Sequence, residues 1–445
     1  MERTIRSSGK HKEQIVPSID RLSGLPDVIL CHILSFLPTK LTVATSILAR
    51  RWRFLWSHVP NLAFNECDYK TDLNVNKGFF DILYRVMLQY RVQNMNTFRL
   101  ACSDNNSEYQ LETCIIAAIV RNVKNLYLDL DSLVDVPSCL FNCKTLVDLS
   151  LHVFDDIPMT VCLLALKKLR LHSLKYVSDE SLPRMLSGCP VFEELIVDEF
   201  VDHPSMSCCC ICSPTLKSLV LMSHFYLLFF GSDNPYRVKI DTPALRYLQL
   251  HDFISQDFSV GSLTSLIEAD VIFDYDAPAD GEVLHSRSVL EFVGRLCNVK
   301  CLKLSTSWMK VPNSTFSALT VRFHNLTELE LAVDWRFLSY FFENADNLEV
   351  LNIHKVDIDL SCWIEPHQVP TCLLSHLRTV RIYHLGCTEQ ELNMVKYFFL
   401  RNAKVMERLE VYSQDHEIDL KAKLNALRKI SLFRQGSEAC ELAFY

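Results

Sequence analysis

The sequence predicts an α/β protein, in which a small N-terminal helical domain precedes an irregular solenoid with parallel strands on the concave face of a horseshoe. Two observations predict this fold class. A pattern of three apolar residues returns thirteen times between residues 95 and 411, and the segment before it has helical periodicity instead. Only ten residues are glycine, so flexible glycine hinges do not join the coils, and their unequal spacing indicates an irregular shape.

The composition indicates a folded protein in a reducing compartment. Apolar residues make up 49% of the chain and the formal net charge is -8, which gives no support to nucleic-acid binding. The 18 cysteines are too sparse for a disulfide scaffold, and no secretory leader pattern opens the sequence. We therefore expect reduced thiols and a location in the cytoplasm, the nucleus or both.

The longest apolar run covers residues 218–231 and is interrupted by Ser223 and His224. A helix that crosses a bilayer needs about 20 apolar residues, and this run has only about 14. We predict that it belongs to the protein core and that the chain has no membrane partner.

The N-terminal residues divide into a tail and a helical domain. Residues 1–19 are polar and mildly basic without apolar periodicity, which predicts a flexible tail. Residues 20–66 are predicted to hold two short helices, because Pro26 suits the first turn of a helix and Pro38 ends it before a second begins. The apolar residues at helical spacing are Ile29, Ile33, Leu34, Leu37, Leu41, Ala44, Leu48 and Trp52.

This helical pair has more apolar side chains than it can bury within itself. Two places could cover the surplus: the end of the solenoid, or a groove on another protein that receives an amphipathic helix. The residue pattern leaves both open. Residues 67–94, which follow the helical domain, are predicted to form a helical linker or cap.

The repeated pattern reads apolar, two residues, apolar, one residue, apolar. Its last two apolar positions alternate as in a strand and point to one side, while the first closes the preceding turn. Copies lie 20 to 33 residues apart, close to the period of about 20 to 29 residues of leucine-rich repeats, and stacking buries what one unit cannot. We assign residues 95–364 to this solenoid. The copies begin at residues 95, 123, 146, 166, 192, 216, 245, 266, 299, 326, 348, 377 and 406.

The side chains that alternate with the buried ones are predicted to face the hollow of the horseshoe, where solenoids usually bind. Their charge is mixed, with a small basic group in the fourth strand motif. The sequence "KKLRLH" places Lys168, Arg170 and His172 on this face. We predict that these three residues mark one edge of the site for an unidentified target protein; the alternative is that they only solvate the face.

Catalytic and cofactor motifs are missing from the sequence. The phosphate-binding glycine loops, the zinc-protease helix and the serine nucleophile elbow do not occur, so neither an enzyme activity nor a cofactor is expected. The cluster "CCCIC" (208–212) follows His203 and contains a C-x-x-C spacing. Because no second ligand pair accompanies it, thiols on a loop are favoured over a zinc site, and no metal is expected.

The helical domain resembles the F-box. The residues that match the F-box pattern are Leu25, Pro26, Asp27, Ile33, Leu34, Ser35, Leu37, Pro38, Trp52 and Arg53. The resemblance implies that this domain binds a Skp-type adaptor. The residues that we expect to contact the adaptor are Leu25, Pro26, Ile29, Ile33, Leu34, Leu37, Pro38, Leu48 and Trp52, with Trp52 alternatively an internal brace.

Residues 365–445 resemble the FBD domain that closes many plant F-box proteins with leucine-rich repeats. The resemblance rests on residues 372–413 and on the stretch "LFRQGSEACELAF" that follows them. The strand pattern recurs in this segment, so it either continues the solenoid or caps it. Both resemblances together identify the chain as similar to plant F-box/FBD/leucine-rich-repeat proteins.

The resemblance implies a substrate receptor of a Skp/cullin/F-box ubiquitin ligase. The F-box would bind the adaptor and through it a cullin scaffold, while the repeats would hold the target. Val28 departs from the acidic residue usual at its position. The alternative is therefore a leucine-rich-repeat scaffold whose degenerate F-box no longer engages the ligase.

Overall fold

The structure is a computed structural model. It describes residues 22, 24–69, 78–102, 108–130, 136–154, 157–175, 179–201, 208–222, 237–252, 257–273, 282–306, 321–332, 335–354, 368–385, 388–412, 420–433 and 436–445. The predicted N-terminal tail, residues 1–19, lies outside these residues, as do His203 and most of the apolar run 218–231.

One parallel sheet of fifteen strands runs through the described chain, and its strands follow one another in chain order apart from three that form a second sheet. All thirteen predicted strands are present, each starting two residues into its motif. The fifteen strands are β1 (Asn61–Asn65), β2 (Thr97–Cys102), β3 (Asn125–Leu130), β4 (Asp148–Phe154), β5 (Lys168–Lys175), β6 (Glu194–Val201), β8 (Ser218–Met222), β10 (Tyr247–Asp252), β12 (Glu268–Phe273), β13 (Cys301–Ser305), β14 (Glu328–Ala332), β15 (Val350–His354), β16 (Thr379–Tyr383), β17 (Arg408–Tyr412) and β18 (Glu441–Phe444).

Two strands of the main sheet were not predicted, one at each end. Strand β1 lies within the segment 20–66 and pairs with β2, so the sheet begins one coil earlier than the predicted start at residue 95. Strand β18 pairs with β17. The segment 365–445 contributes three strands, β16 to β18, to the main sheet.

A second parallel sheet has the strand order β11 (Asp257–Val260), β9 (Arg237–Asp241) and β7 (Cys208–Cys212). It lies on the return path between strands of the main sheet. The prediction that "CCCIC" forms a loop is wrong, because these residues make β7 and alternate as a strand does, with Cys209 and Ile211 buried.

In the residues that the structure describes, helices and turns make up the other return segments. Their varied lengths agree with the unequal spacing of the motifs. The helices are α1 (Asp27–Leu34), α2 (Thr39–Ala44), α3 (Phe79–Gln89), α4 (Glu108–Val120), α5 (Ser181–Ser187), α6 (Glu282–Arg295), α7 (Trp335–Asn344), α8 (Thr371–Ser375), α9 (Glu389–Val395) and α10 (Leu420–Leu432), with 3-10 helices at Thr45–Ile47, Arg50–His58, Glu66–Tyr69 and Ser138–Asn142 and a π-helix at Lys396–Asn402.

A single apolar core runs behind the main sheet. Equivalent strand positions pair in register, so that Leu149, Leu169 and Leu195 lie side by side. The small residues three positions before some motifs, such as Cys189 and Ala345, are buried. Because every coil supplies the same two inward positions, no coil could bury them without its neighbours.

Candidate functional site

The N-terminal domain has a small apolar core of its own. Helix α1 contributes Leu30 and Leu34, and the 3-10 helix Arg50–His58 contributes Trp52 and Leu55. Leu34 is 1% exposed and Trp52 is 7% exposed, so neither offers a surface to another protein. Their prediction as adaptor contacts is corrected: both brace the domain from inside, which for Trp52 is the alternative stated above.

Between residues 28 and 48, eight large apolar side chains of the same domain remain exposed. They lie within residues 28–48, on α1, on α2 and on the turns after them, and their exposed fractions range from 38% to 86%. These residues are Val28, Ile29, Ile33, Phe36, Leu37, Leu41, Ile47 and Leu48. A monomer rarely leaves so many large apolar groups in water within one short segment, so the group indicates an interaction surface.

Four of the predicted adaptor residues, Ile29, Ile33, Leu37 and Leu48, belong to this exposed group. Pro26 and Pro38 are exposed at the N-terminal ends of α1 and α2, and Leu25 is half-buried against the domain core. Sequence reasoning missed Phe36 and Ile47, which are 76% and 86% exposed. Both are large apolar residues close to the end of a helix, and neither fits the spacing of the buried residues. That combination could have identified them from the sequence.

An ion pair fixes the start of α1 against the 3-10 helix. The Arg51 guanidinium donates to the Asp27 carboxylate at 2.7 Å, and Arg51 also donates to the Leu25 carbonyl at 2.5 Å. Beside this pair lies a cleft of about 540 Å³, which includes Val28 and Phe54 in its lining. Val28 therefore presents an apolar side chain to the cleft.

Hydrogen bonds and packing attach the N-terminal domain to the main sheet. The backbone N–H of Ala63 in β1 donates to the Thr39 hydroxyl of α2 at 2.7 Å. Trp56 packs into the large core behind the sheet rather than into the domain's own core. The exposed apolar side chains are thus presented by a domain that is anchored directly to the solenoid.

The predicted basic group lies on strand β5, on the face of the main sheet opposite the core. We call the strand residues that alternate with the buried ones the open face. Each of these three side chains faces a carboxylate of a neighbouring strand. The pairs are Lys168 Nζ to Glu194 at 2.6 Å, Arg170 Nη1 to Asp148 at 2.7 Å and His172 Nδ1 to Asp198 at 3.3 Å.

These pairs change the electrostatic character that the sequence suggested. The hydrogen bond and the charge of Glu194 raise the pKa of Lys168 above its ordinary value. The expectation of a basic spot is therefore wrong: the region is a ladder of alternating charges, because parallel pairing brings acidic residues of β4 and β6 beside β5. Whether it contacts a target stays a prediction.

Aromatic rings occupy the open face at its C-terminal end. His354, Tyr383, Tyr412 and Tyr445 come from successive strands or their immediate ends and stack face to face. Nearby, Arg381 donates to the buried carboxylate of Glu410 at 2.7 Å. These residues follow from the strand register, since each is the fifth residue counted from the first residue of its strand.

Neither a metal site nor a membrane helix is found in the parts of the chain that the structure describes. Among those residues, no three His, Cys, Asp or Glu side chains are arranged to hold a metal ion. In the "CCCIC" strand, burial raises the pKa of the Cys208 thiol to about 12. No described helix is long and apolar enough to cross a bilayer.

Comparison with known proteins agrees with this architecture at both ends and in the middle. Residues 22–64 match the F-box domain family, residues 365–411 match the FBD family, and residues 115–269 match the family of leucine-rich repeats of FBD-associated F-box protein At5g56370. In Arabidopsis thaliana, F-box/FBD/LRR-repeat protein At4g00160 is 30% identical over 97% of this chain and 95% of its own length. FBD-associated F-box protein At4g10400 is 30% identical over 96% of this chain and its own full length (100%).

The chain belongs to the F-box/FBD/LRR-repeat family. Its helical domain is the F-box, and the match over residues 22–64 includes most of strand β1. The FBD match ends within β17, so this F-box/FBD/LRR-repeat protein carries its FBD as coils of the same sheet as the repeats. The exposed apolar group lies wholly within the F-box.

Proposed function

We propose that this F-box/FBD/LRR-repeat protein is the substrate-recognition subunit of a Skp/cullin/F-box ubiquitin ligase. In this proposal the F-box binds a Skp-type adaptor, which connects the chain to a cullin scaffold. The open face of the sheet holds the protein to be ubiquitinated. The chain makes and breaks no covalent bond itself, and it works in the cytoplasm, the nucleus or both.

One observation carries the proposal: between residues 28 and 48, the F-box leaves eight large apolar side chains exposed. Covering apolar surface yields about 25 cal/mol per Å², and a stable interface covers about 800 Å² on each partner. Leu34 and Trp52 hold the helices from inside. The exposed group is therefore ordered before a partner arrives, which lowers the cost of binding.

We infer that the target is read by the alternating charges of the open face and not by a simple basic patch. A target that approaches Lys168 and Arg170 meets side chains already paired with Glu194 and Asp148. The target must present charges that complement this alternation of cations and carboxylates. Displacing a partly buried ion pair would be unfavourable, because it leaves one charge without its partner. Replacing both cations in Lys168→Ala/Arg170→Ala should weaken capture of the target; unchanged capture would remove this region from the target site.

The adaptor half of the proposal is tested by direct binding. The purified chain and an Ile33→Asp variant are titrated with a panel of plant Skp-type adaptors in isothermal calorimetry. Because the carboxylate would have to be buried in the interface, we expect binding to weaken at least about 30-fold. Leu48→Asp, on the segment after α2, should act in the same direction.

The matched control is Val120→Asp, at the end of α4, where an apolar side chain is 73% exposed but lies outside the F-box. This variant should bind every adaptor as the unaltered chain does. If the unaltered chain binds no adaptor, the ligase proposal fails. The alternative, a leucine-rich-repeat scaffold with a degenerate F-box, would then be favoured, with Val28 as the departure to examine.

A further inference from the structure

The last strand, β18, lies at the outer edge of the main sheet. The backbone N–H groups of Glu441 and Tyr445 donate to the carbonyls of Glu407 and Val411, at 2.8 and 2.9 Å. Successive residues of a parallel strand turn their N–H and C=O groups to opposite sides. Leu442 and Phe444 therefore direct theirs away from β17, and no described strand pairs with that edge.

The apolar core is also less complete at this edge. In each of the other fourteen strands of the main sheet, the two inward side chains are at most 4% exposed. The corresponding residues of β18, Leu442 and Phe444, pack against the core but stay half-buried. One more coil on this side would give them the cover that the pairs of β2 to β17 receive from both neighbours.

A stack of rings on the open face reaches the same edge. The centroid of His354 lies 4.5 Å from that of Tyr383, Tyr383 lies 4.8 Å from Tyr412, and Tyr412 lies 4.8 Å from Tyr445. These spacings repeat the distance between neighbouring strands, about 4.8 Å. Tyr445 is 61% exposed, and no further described ring stacks on it.

We propose that the β18 edge is a docking site for an extended segment of a partner protein, which adds a parallel strand with the pattern x-apolar-x-apolar-aromatic. The two apolar residues would cover Leu442 and Phe444, and the aromatic ring would continue the stack on Tyr445. Strands of this chain show the required pattern in "TVRIY" (379–383), "RLEVY" (408–412) and "ELAFY" (441–445). This surface is distinct from the F-box, and its occupation does not depend on the proposed ligase function.

Charge selects the first residue of the incoming strand. Glu441 is exposed on the open face opposite Arg408 of β17. A hydrogen bond with Tyr445 and the charges of Glu410 and Glu441 raise the pKa of Arg408. A lysine or arginine on the far side of Glu441 would extend this alternation of charges. Opposite charges on neighbouring strands stabilise their pairing, and like charges oppose it.

A second copy of the chain cannot supply the strand that the β18 edge requires. Two copies related by a twofold axis would pair their β18 strands antiparallel, which places Tyr445 near Glu441 and interrupts the stack. Head-to-tail pairing needs the free edge of β1 in another copy. There the N–H of Ala63 already donates to Thr39 of α2, so the F-box covers that edge.

The test uses the full chain and a synthetic peptide, acetyl-GSKVTIYSG-amide with a fluorescent label, in a polarisation titration. We expect saturable binding in the high micromolar range. Replacing the peptide tyrosine with serine should weaken binding about fivefold, as expected for one aromatic contact. A peptide with its alternation inverted, GSVKITYSG, should not bind, because its apolar residues would face away from the core.

Variants of the chain separate this site from general effects on folding. Tyr445→Ala should weaken peptide binding about fivefold, and Tyr445→Phe, which keeps the ring, should bind like the unaltered chain. Glu441→Lys should weaken binding of the lysine peptide and strengthen binding of its glutamate counterpart, GSEVTIYSG. An unfolded variant would lose binding of both peptides. A gain in binding of the glutamate peptide therefore shows that the Glu441→Lys variant is folded.

Three results would overturn the proposal. They are the absence of saturable peptide binding, binding that ignores the Glu441 charge swap, and a dimer in light scattering that separates in Tyr445→Ala. The last would show that a second copy occupies the edge. None of these outcomes bears on adaptor binding, which is measured through the F-box.

Discussion

The Tyr90 hydroxyl donates a hydrogen bond of 2.7 Å to the Val59 carbonyl, 31 positions earlier in the chain. This contact joins the residue after α3 to the end of the F-box helices, and Arg91 N–H adds a second bond to Ser57 at 3.0 Å. Tyr90 is buried, and burial raises the pKa of its hydroxyl above the ordinary value. The F-box and the first coil are therefore fastened together by polar groups shielded from water.

Replacing this hydroxyl should destabilise the protein. In Tyr90→Phe the Val59 carbonyl loses its donor, and we expect the free energy of unfolding to fall by about 1 to 2 kcal/mol. Urea unfolding monitored by circular dichroism measures the change. The control is Tyr109→Phe, whose ring is 73% exposed and which should leave the unfolding midpoint unchanged.

The raised pKa of Tyr90 also predicts a loss of stability at alkaline pH. In the unfolded chain this tyrosine ionises near pH 10, whereas the folded chain keeps it neutral. Its contribution is fully present below about pH 10 and is lost as pH rises above that value. The unaltered chain should lose more stability than Tyr90→Phe between pH 9 and pH 11; equal slopes in urea titrations would contradict this cause.

The cysteines should differ sharply in reactivity. Burial raises the pKa of the Cys114, Cys189 and Cys372 thiols to about 12, so they stay protonated at pH 8 as well as shielded. Cys67 is exposed. With N-ethylmaleimide at pH 8, mass spectrometry should find Cys67 modified within minutes and the three buried thiols unmodified until urea is added. Prompt labelling of the buried three would contradict the packing between coils.

Gly188 ends α5 where two coils approach each other. A Cβ atom at this position would collide with the carbonyl group of Val161 and would lie 2.7 Å from its Cγ1 atom. Because backbone must move to relieve the collision, Gly188→Ala should lower the free energy of unfolding by about 1 to 3 kcal/mol. The neighbouring control, Ser187→Ala, removes an exposed hydroxyl that donates to the Arg184 carbonyl at 2.8 Å, and should change stability by less than about 0.5 kcal/mol.

Helix α9 in the FBD begins with a reciprocal pair of hydrogen bonds. The Thr388 hydroxyl accepts from the N–H of Glu391, and the Glu391 carboxylate accepts from the N–H of Thr388. Removing the hydroxyl in Thr388→Ala should cost about 1 kcal/mol of stability, whereas Thr388→Ser should cost little. Thermal unfolding of the two variants makes the comparison, and equal transition temperatures would contradict a capping role.

The sequence was most informative where the same arrangement is repeated. Each of the thirteen motifs marks a strand of the main sheet, because two apolar residues at alternate positions specify one buried side. Strands β1 and β18 were not predicted because their apolar residues do not complete the three-residue motif. Strand β7 was not predicted because its cysteines were interpreted as thiols on a loop. Cys209 and Ile211 nevertheless alternate inward as in a strand.

At the candidate site, the sequence could not show which apolar residues of the F-box are buried and which are exposed. Helical spacing placed Ile29, Ile33 and Leu34 together, but only packing against Trp52 and Leu55 shows that Leu34 belongs inside. The prediction of a basic group on β5 used the residues of that strand alone. Its carboxylate partners, Asp148 and Glu194, come from sequence positions more than 20 residues away.

The sequence by itself determined the repeat, its strand positions, and the F-box and FBD segments, because periodicity and local motifs depend on neighbours along the chain. Only the tertiary structure decided which apolar side chains are covered, which charges are paired and where the sheet begins and ends. Those properties depend on contacts between coils some 20 to 30 residues apart. The register of parallel pairing, and not the order of residues in any one strand, brings these groups together.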